Sequence, residues 1–149
     1  MGNVERRLLD MGVELRTLPK VDHTLVRTKA AGDLLFVSGH GTNVIGKVGD
    51  TVTVEEAYAA ARDAAINCLS AIREAVGDLD RVTNVVKVFG GVNSAPDFTA
   101  QPAVVNGASD LIVAAFGPEI GLHARSAMGM ASLPRGIAVE IEMIVQVRP

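Results

Sequence analysis

The pattern of apolar and polar positions divides the chain into strands with two long helices between them. Near the end of the sequence, apolar side chains occupy every second position from Ile137 to Val147. Glu140, Glu142 and other mostly polar residues lie between them. A period of two is typical of a strand with one buried face. This segment is the strongest strand prediction in the chain.

The clearest helix is predicted between Thr53 and Gly77. Thr53 and Glu56 have the spacing of a capping box, and apolar residues then recur at helical spacing as far as Val76. Most of these residues are alanines, so we expect the helix to pack closely against a sheet. Cys68 lies on the same stripe and is interpreted as a core thiol rather than a reactive one.

Weaker patterns complete the order of elements. They predict, in chain order, a short helix at 2–12, strands at 25–29 and 34–38 joined by a turn at 31–33, a strand at 82–92, a helix at 103–116 and a strand at 123–131. Gly107 makes the first half of the second long helix the weaker part of that prediction. After the short helix the order is β-β-α-β-α-β-β. One mixed sheet covered on one face by two helices is the natural α+β arrangement for this order.

The length predicts a single domain, and the hydropathy predicts a subunit interface. With 149 residues, the chain is expected to form one domain, because domains usually hold about 100–200 residues. The mean hydropathy of +0.30 is high. No apolar run reaches the ~18 residues of a membrane helix, so no membrane contact is expected. We expect the surplus apolar surface to lie between subunits, on the face of the sheet that the helices leave free.

Charge and targeting signals exclude further classes. The chain has 14 basic and 17 acidic residues, a net charge of −3, and few aromatic residues. Both features argue against a nucleic-acid surface, which needs positive charge or stacking platforms. The first residues contain no signal-peptide core, so a cytoplasmic location is expected.

Common cofactor and metal motifs are missing from the sequence. No phosphate-binding loop, dinucleotide fingerprint or G-x-S-x-G motif occurs, and no cofactor is expected. A single cysteine excludes a cysteine cluster. His23, His40 and His123 have no partner at metal-ligand spacing, so no metal site is expected. Taken alone, His40 and His123 are interpreted as ordinary histidines at the rim of the sheet.

Arg125 is the most informative polar residue, because its strand otherwise consists of small or apolar residues. A guanidinium in such surroundings needs a partner. One interpretation is a structural ion pair with Glu140 or Glu142 on the following strand. The other is a fork that binds the carboxylate of a ligand. Taken alone, Glu140 and Glu142 are interpreted as solvated carboxylates.

Several short segments resemble one known family. They are Val37-Ser38-Gly39-His40, Val85-Val86-Lys87-Val88, Ala124-Arg125-Ser126, Leu133-Pro134 and Val139-Glu140-Ile141-Glu142. In this order and spacing they resemble the reactive-intermediate deaminase family, also called Rid, YjgF-like or L-PSP endoribonuclease. The resemblance covers residues 20–147 and leaves 1–19 as an N-terminal extension.

The resemblance implies a chorismate-mutase-like subunit in a barrel-forming homotrimer, with a cleft between each pair of subunits. Members of the family bind small carboxylates in these clefts and hydrolyse imines or enamines without a cofactor. The matching positions assign the grip on the substrate carboxylate to Arg125, the handling of water to Glu140 and a backbone contact to Gly39.

Other pocket positions depart from the family pattern. Leu25 stands where the deaminase branch has Tyr, Ala127 where it has Cys, and His123 where it has Pro. For the asparagine of the cleft, Asn106 and Ser109 are both candidates. The expected catalytic residues are Arg125 and Glu140. The expected substrate-binding residues are Gly39, His40, Asn106, His123, Arg125 and Ser126.

Three functions therefore remain open. Hydrolysis of small 2-imino or enamine carboxylic acids is the first. A non-catalytic trimer that binds a small carboxylate metabolite is the alternative, favoured by the loss of the family's Tyr and Cys. Ribonuclease activity, which the older family name suggests, is a distant third because of the net negative charge.

Overall fold

The computed structural model describes residues 1–22 and 24–149, so His23 lies outside the described residues. The elements are α1 Asn3–Asp10, β1 Thr28–Ala31, β2 Leu34–Gly41, α2 Val54–Val76, β3 Val82–Asn93, α3 Gln101–Phe116, α4 Pro118–Gly121, β4 Ala124–Met130 and β5 Val139–Val147. Short 3-10 turns at Leu79–Arg81 and Pro134–Gly136 precede β3 and β5. The predicted order of strands and long helices is confirmed.

The five strands form one mixed sheet in the order β1-β2-β5-β3-β4. Only the β3–β4 pair is parallel, and the other three pairs are antiparallel. The last strand therefore lies inside the sheet, between β2 and β3. Its alternate residues Val139, Ile141, Met143 and Val145 are buried on the face that packs against α2, as the period of two predicts. The predicted α+β architecture is confirmed.

The first strand begins later than the sequence pattern predicts. Ala31 pairs directly with Leu34, so the turn consists of two residues, and Gly32 adopts the positive φ of 62° that this turn requires. The ladder of paired residues ends at Thr28, and beyond it the Ser38 N–H donates to the Arg27 carbonyl over 2.8 Å. The prediction of a strand from residue 25 is therefore wrong, and 25–27 precede the sheet.

Helix α2 confirms the clearest helix prediction from end to end. Thr53 N–H donates to the Glu56 carboxylate over 2.8 Å, and Glu56 N–H donates to Thr53 Oγ1 over 3.2 Å. The alanine stripe is fully buried. Cys68 is also fully buried and donates to the Ile141 carbonyl over 3.3 Å, and burial raises the pKa of its thiol. The core interpretation of this thiol is confirmed.

Gly107 is the point of closest approach between the two long helices. A Cβ on this residue would overlap the backbone carbonyl of Tyr58 in α2. Glycine is a poor helix former, but packing offsets this cost here, because only a hydrogen atom fits between the two helices. Helix α3 is therefore continuous from Gln101, two residues before the predicted start.

Helix α1 is fastened to the body of the protein at its start. Asn3 and Val4 N–H groups donate to the Asp80 carboxylate over 2.7 and 2.8 Å. Val4 and Leu8 are buried, whereas Leu9, also predicted on the apolar side, is exposed. The backbone donors lower the pKa of Asp80, although some desolvation opposes them. An acidic side chain from the turn before β3 thus acts as the cap that α1 itself lacks.

The free face of the sheet exposes apolar side chains. Phe36 is 41% exposed and Met128 is 54% exposed on this face. Within the described chain, no helix is both long enough and apolar enough to span a bilayer. Part of the surplus apolar surface predicted from the hydropathy therefore lies on the face opposite α2 and α3.

Candidate functional site

Arg125 lies on the edge strand β4 and faces helix α3. It pairs with Val88 of β3, whose side chain is buried on the helix-covered side of the sheet. Its Nη1 donates to Asn106 Oδ1 over 2.8 Å and to Ser109 Oγ over 3.2 Å. Its Nη2 makes a longer contact of 3.5 Å with the Pro102 carbonyl. Polar groups of α3 therefore hold the guanidinium at the edge of the sheet.

The ion pair with Glu140 or Glu142, one of the two interpretations of Arg125, is wrong. β3 lies between β4 and β5, so the strand that follows Arg125 in sequence is not its neighbour in the sheet. Glu140 and Glu142 also occupy the positions of β5 that face away from the helices, between the buried residues of that strand.

Ser109 and His123 extend the contacts around Arg125. Ser109 Oγ lies 2.9 Å from His123 Nε2, and His123 Nδ1 lies 2.6 Å from the Gly121 carbonyl. Asn106 and Ser109 are three residues apart, which places both on one face of α3. Asn106, Ser109, His123 and Arg125 form what we name the arginine cluster. The sequence offers Ser109 only as an alternative to Asn106, whereas in the structure both contact Arg125.

Glu140 and Gly39 meet on the free face of the sheet. β2 shifts register between Val37 and His40, and Gly39 lies in this irregular stretch. A Cβ on Gly39 would overlap the Glu140 carboxylate, so glycine lets that side chain lie over the backbone. Both residues line a small hollow of about 140 Å³ with Phe89 and Glu142. We name Gly39 and Glu140 the glutamate cluster.

His40 turns away from Glu140. Beyond the register shift it pairs with Ile141, and its Nδ1 lies 2.7 Å from the Ser38 carbonyl and 3.8 Å from Cys68 Sγ. Burial lowers the pKa of His40, with Arg27 adding to the effect and the carbonyl hydrogen bond opposing it. His40 is thus a half-buried imidazole beneath the Gly39 backbone.

A second opening reaches the Gly39 backbone from the side of His40. This cleft measures about 430 Å³ and is also lined by Leu25, Arg27 and Arg135. Leu25 stands at the position of the family's Tyr and is 58% exposed there. The cleft therefore has cationic and apolar side chains beside Gly39, but Leu25 supplies no phenol hydroxyl where the family has Tyr.

Ser126 lies apart from the arginine cluster. Its hydroxyl accepts a hydrogen bond from Lys87 Nζ over 2.9 Å, and its position on β4 faces the side opposite to Arg125. A groove of about 590 Å³ lies between the N-terminal segment and α2, where Leu9, Leu15 and Arg73 line it. That groove contains no member of either cluster.

Comparison with known proteins agrees with this architecture. The family described as "YjgF/chorismate mutase-like, putative endoribonuclease" matches residues 6–141. Protein TCP17 of Trypanosoma cruzi is 43% identical, over 97% of this chain and 94% of that protein. The crystal structure of Atu1372 from Agrobacterium tumefaciens is 39% identical with a TM-score of 0.89, and the alignment covers 97% and 92% of the two chains.

The Escherichia coli YjgF gene product is a more distant structural relative. It is 25% identical with a TM-score of 0.60, and the alignment covers 87% of this chain and 93% of that one. The family match extends over most of the chain and includes Gly39, Arg125 and Glu140. This protein therefore belongs to the YjgF/chorismate-mutase-like family.

Proposed function

We propose that this protein hydrolyses small 2-imino or enamine carboxylic acids in clefts between the subunits of a homotrimer. The observation that carries the proposal is the separation of Arg125 from Glu140 within one chain. The two lie on strands separated by β3, with side chains on opposite faces of the sheet. A site that uses both must combine the arginine cluster of one subunit with the glutamate cluster of its neighbour.

The free face of the sheet supports assembly. Phe36 and Met128 expose apolar surface on it, and burial of such surface drives association. Arg125 lies on the edge strand, where a neighbouring subunit can approach it. A closed ring of three copies would repeat one interface and create three equal clefts.

The two clusters supply the groups that imine hydrolysis needs. Arg125 would bind the substrate carboxylate, which fixes the imine carbon near Glu140. Glu140 would take a proton from water as the water oxygen bonds to that carbon. The nitrogen would receive that proton back from Glu140 and a second proton from the new hydroxyl group as the carbon–oxygen double bond forms. The carbon–nitrogen bond then breaks and releases ammonia. One imino acid and one water yield one 2-oxo acid and one ammonia, with no oxidation and no cofactor.

Carboxylate binding without turnover is the second candidate. Leu25 offers no hydroxyl in the Gly39 cleft, and Ala127 packs against the core where the family's Cys would stand. These two positions therefore supply no acid or nucleophile. In that case the same clefts would bind a small carboxylate metabolite in a sensing role. The net charge of −3 gives no support to RNA as the substrate.

A trapping assay tests the proposal. An amino-acid oxidase would generate 2-imino acids from small, acidic and apolar amino acids, and semicarbazide would trap the imine that survives. The wild type should accelerate imine loss, and Arg125→Ala and Glu140→Ala should abolish the acceleration. Arg73→Ala is the matched control, because Arg73 pairs with Glu5 of α1 and lines the groove that holds no member of either cluster. No acceleration by an assembled wild type would refute the deaminase proposal and leave carboxylate binding.

A further inference from the structure

The hydrogen bonds of Arg125 leave one edge of its guanidinium free. Nη1 carries two protons and has two acceptors, Asn106 Oδ1 at 2.8 Å and Ser109 Oγ at 3.2 Å. Nη2 has the Pro102 carbonyl at 3.5 Å, and Nε has no acceptor among the described residues. Groups of α3 therefore take up both protons of Nη1 and contact Nη2 only at long distance. The edge formed by Nε and the second proton of Nη2 stays available.

His123 determines the direction in which the Ser109 hydroxyl points. A carbonyl oxygen only accepts, so the contact of 2.6 Å with the Gly121 carbonyl places a proton on His123 Nδ1. In the neutral ring, Nε2 then carries a lone pair and accepts the Ser109 hydroxyl proton over 2.9 Å. The lone pairs of Ser109 Oγ remain for Arg125. A chain of hydrogen bonds thus runs from Gly121 through His123 and Ser109 to Arg125.

We infer that Ser109 and His123 are positioning residues, which hold Arg125 so that its Nε–Nη2 edge binds a carboxylate side-on. This inference deepens the proposed function and rests on Arg125 being the anchor of that site. A planar carboxylate matches the two parallel N–H groups of this edge. Asn106 and His123, expected from the sequence to touch substrate, act in this account on Arg125. The ligand class is a small monocarboxylate with a planar carboxyl end.

Direct binding of pyruvate, a 2-oxo acid of the product class, tests the inference without turnover. We expect Ser109→Ala to weaken pyruvate binding by about tenfold, because it removes one hydrogen bond to a charged group. His123→Ala should weaken binding as well, since Ser109 loses its fixed orientation. His123→Gln should restore binding, because the glutamine side-chain oxygen can accept in place of Nε2. Equilibrium dissociation constants from calorimetry measure these effects.

Tyr58→Phe is the matched control. The Tyr58 hydroxyl donates to Asp110 over 2.7 Å, so this variant removes one side-chain hydrogen bond from α3 at the residue next to Ser109. It touches no member of the arginine cluster and should bind pyruvate as the wild type does. Equal binding by wild type, Ser109→Ala and His123→Ala would overturn the inference. The same holds if His123→Gln binds as poorly as His123→Ala.

Arginine side-chain nuclear magnetic resonance tests the side-on geometry. The Nε–H signal that disappears in Arg125→Lys belongs to Arg125, and we expect pyruvate to shift it downfield. In Ser109→Ala a higher pyruvate concentration should be needed for the same shift. A signal that stays in place while pyruvate binds would refute side-on binding. The main shift is measured on the wild type, so this test does not depend on whether a variant folds.

Turnover separates this inference from the proposed function. If the wild type hydrolyses imines, Ser109→Ala should raise KM with little change in kcat, because it weakens binding of substrate and transition state alike. If pyruvate binding depends on Ser109 and His123 but no imine is hydrolysed, the deaminase proposal fails and the inference stands. If imines are hydrolysed and Ser109→Ala leaves KM unchanged, the inference fails and the deaminase proposal stands.

Discussion

Arg125 and Glu140 lie on opposite faces of one sheet, with strand β3 between their strands. Two strand spacings alone separate the backbones by about 10 Å. In addition, Glu140 is opposite Gly91 of β3, whereas Arg125 is opposite Val88, three residues along the same strand. One subunit therefore presents the two halves of the proposed site separately. This geometry explains why the proposed chemistry requires a neighbour.

Gly39→Ala should displace the Glu140 side chain without unfolding the protein. The added methyl group would overlap the Glu140 carboxylate and force that side chain to a new position. We expect imine hydrolysis to fall by at least about tenfold, because misplacement of a catalytic group by ~1 Å can cost about 10²-fold. Steady-state kinetics and thermal unfolding together measure this. In the Glu140→Ala background, Gly39→Ala should cause no further loss of activity, and wild-type kinetics in Gly39→Ala alone would contradict the prediction.

Gly107→Ala should destabilise the protein although alanine is the better helix former. The methyl group would overlap the Tyr58 carbonyl where α3 crosses α2. We expect a loss of about 2–3 kcal/mol in the free energy of unfolding, typical of overpacking. Urea unfolding measures it.

Ala114→Gly is the control for Gly107→Ala, since Ala114 is exposed on the same helix and should lose only the propensity difference of about 1 kcal/mol. A stabilised Gly107→Ala variant would show that the helices are not in close contact there.

Asp80→Ala should loosen helix α1. It removes the acceptor for the Asn3 and Val4 N–H groups, so amide hydrogen exchange in α1 should accelerate. Because the folded pKa of Asp80 is lowered, its contribution is present above the unfolded value of about 4 and is lost as the pH falls through the folded value. Asp10→Ala, at the exposed end of α1, is the control. Unchanged exchange in Asp80→Ala would refute the capping role.

His40 should make stability fall in mildly acidic solution. Burial lowers its folded pKa, so below about pH 6.5 the unfolded chain binds a proton that the folded protein does not. The free energy of unfolding should therefore decrease from that pH down to the folded pKa and then level off. His40→Asn keeps a donor for the Ser38 carbonyl and cannot titrate, so it should lose this dependence. Parallel pH profiles of the two proteins would contradict the prediction.

The fold was largely predictable because its signals are local. The capping box at Thr53 and the alternation along β5 each depend on neighbouring residues, and both predictions are confirmed. Insertion of β5 between β2 and β3 depends instead on contacts distant in sequence. Of the two interpretations of Arg125, the ion pair with the next strand is therefore the one that the structure contradicts.

The site was predictable only as separate residues. Short motifs pointed to Arg125, Glu140 and Gly39, but no pattern in the sequence shows on which face of the sheet each side chain lies after a register shift. The shift before His40 turns that residue towards Cys68, away from Glu140. The spacing of Asn106 and Ser109 on α3 was the available signal that both could reach Arg125.

Subunit mixing tests the central claim most directly. Arg125→Ala and Glu140→Ala chains, each inactive alone, would be combined by refolding an equal mixture. In a trimer whose clefts take Arg125 from one subunit and Glu140 from the next, about one quarter of the clefts would regain both residues by random assembly. The account predicts recovery of about one quarter of the wild-type imine hydrolysis. An inactive mixture, from chains shown to have assembled together, would contradict it.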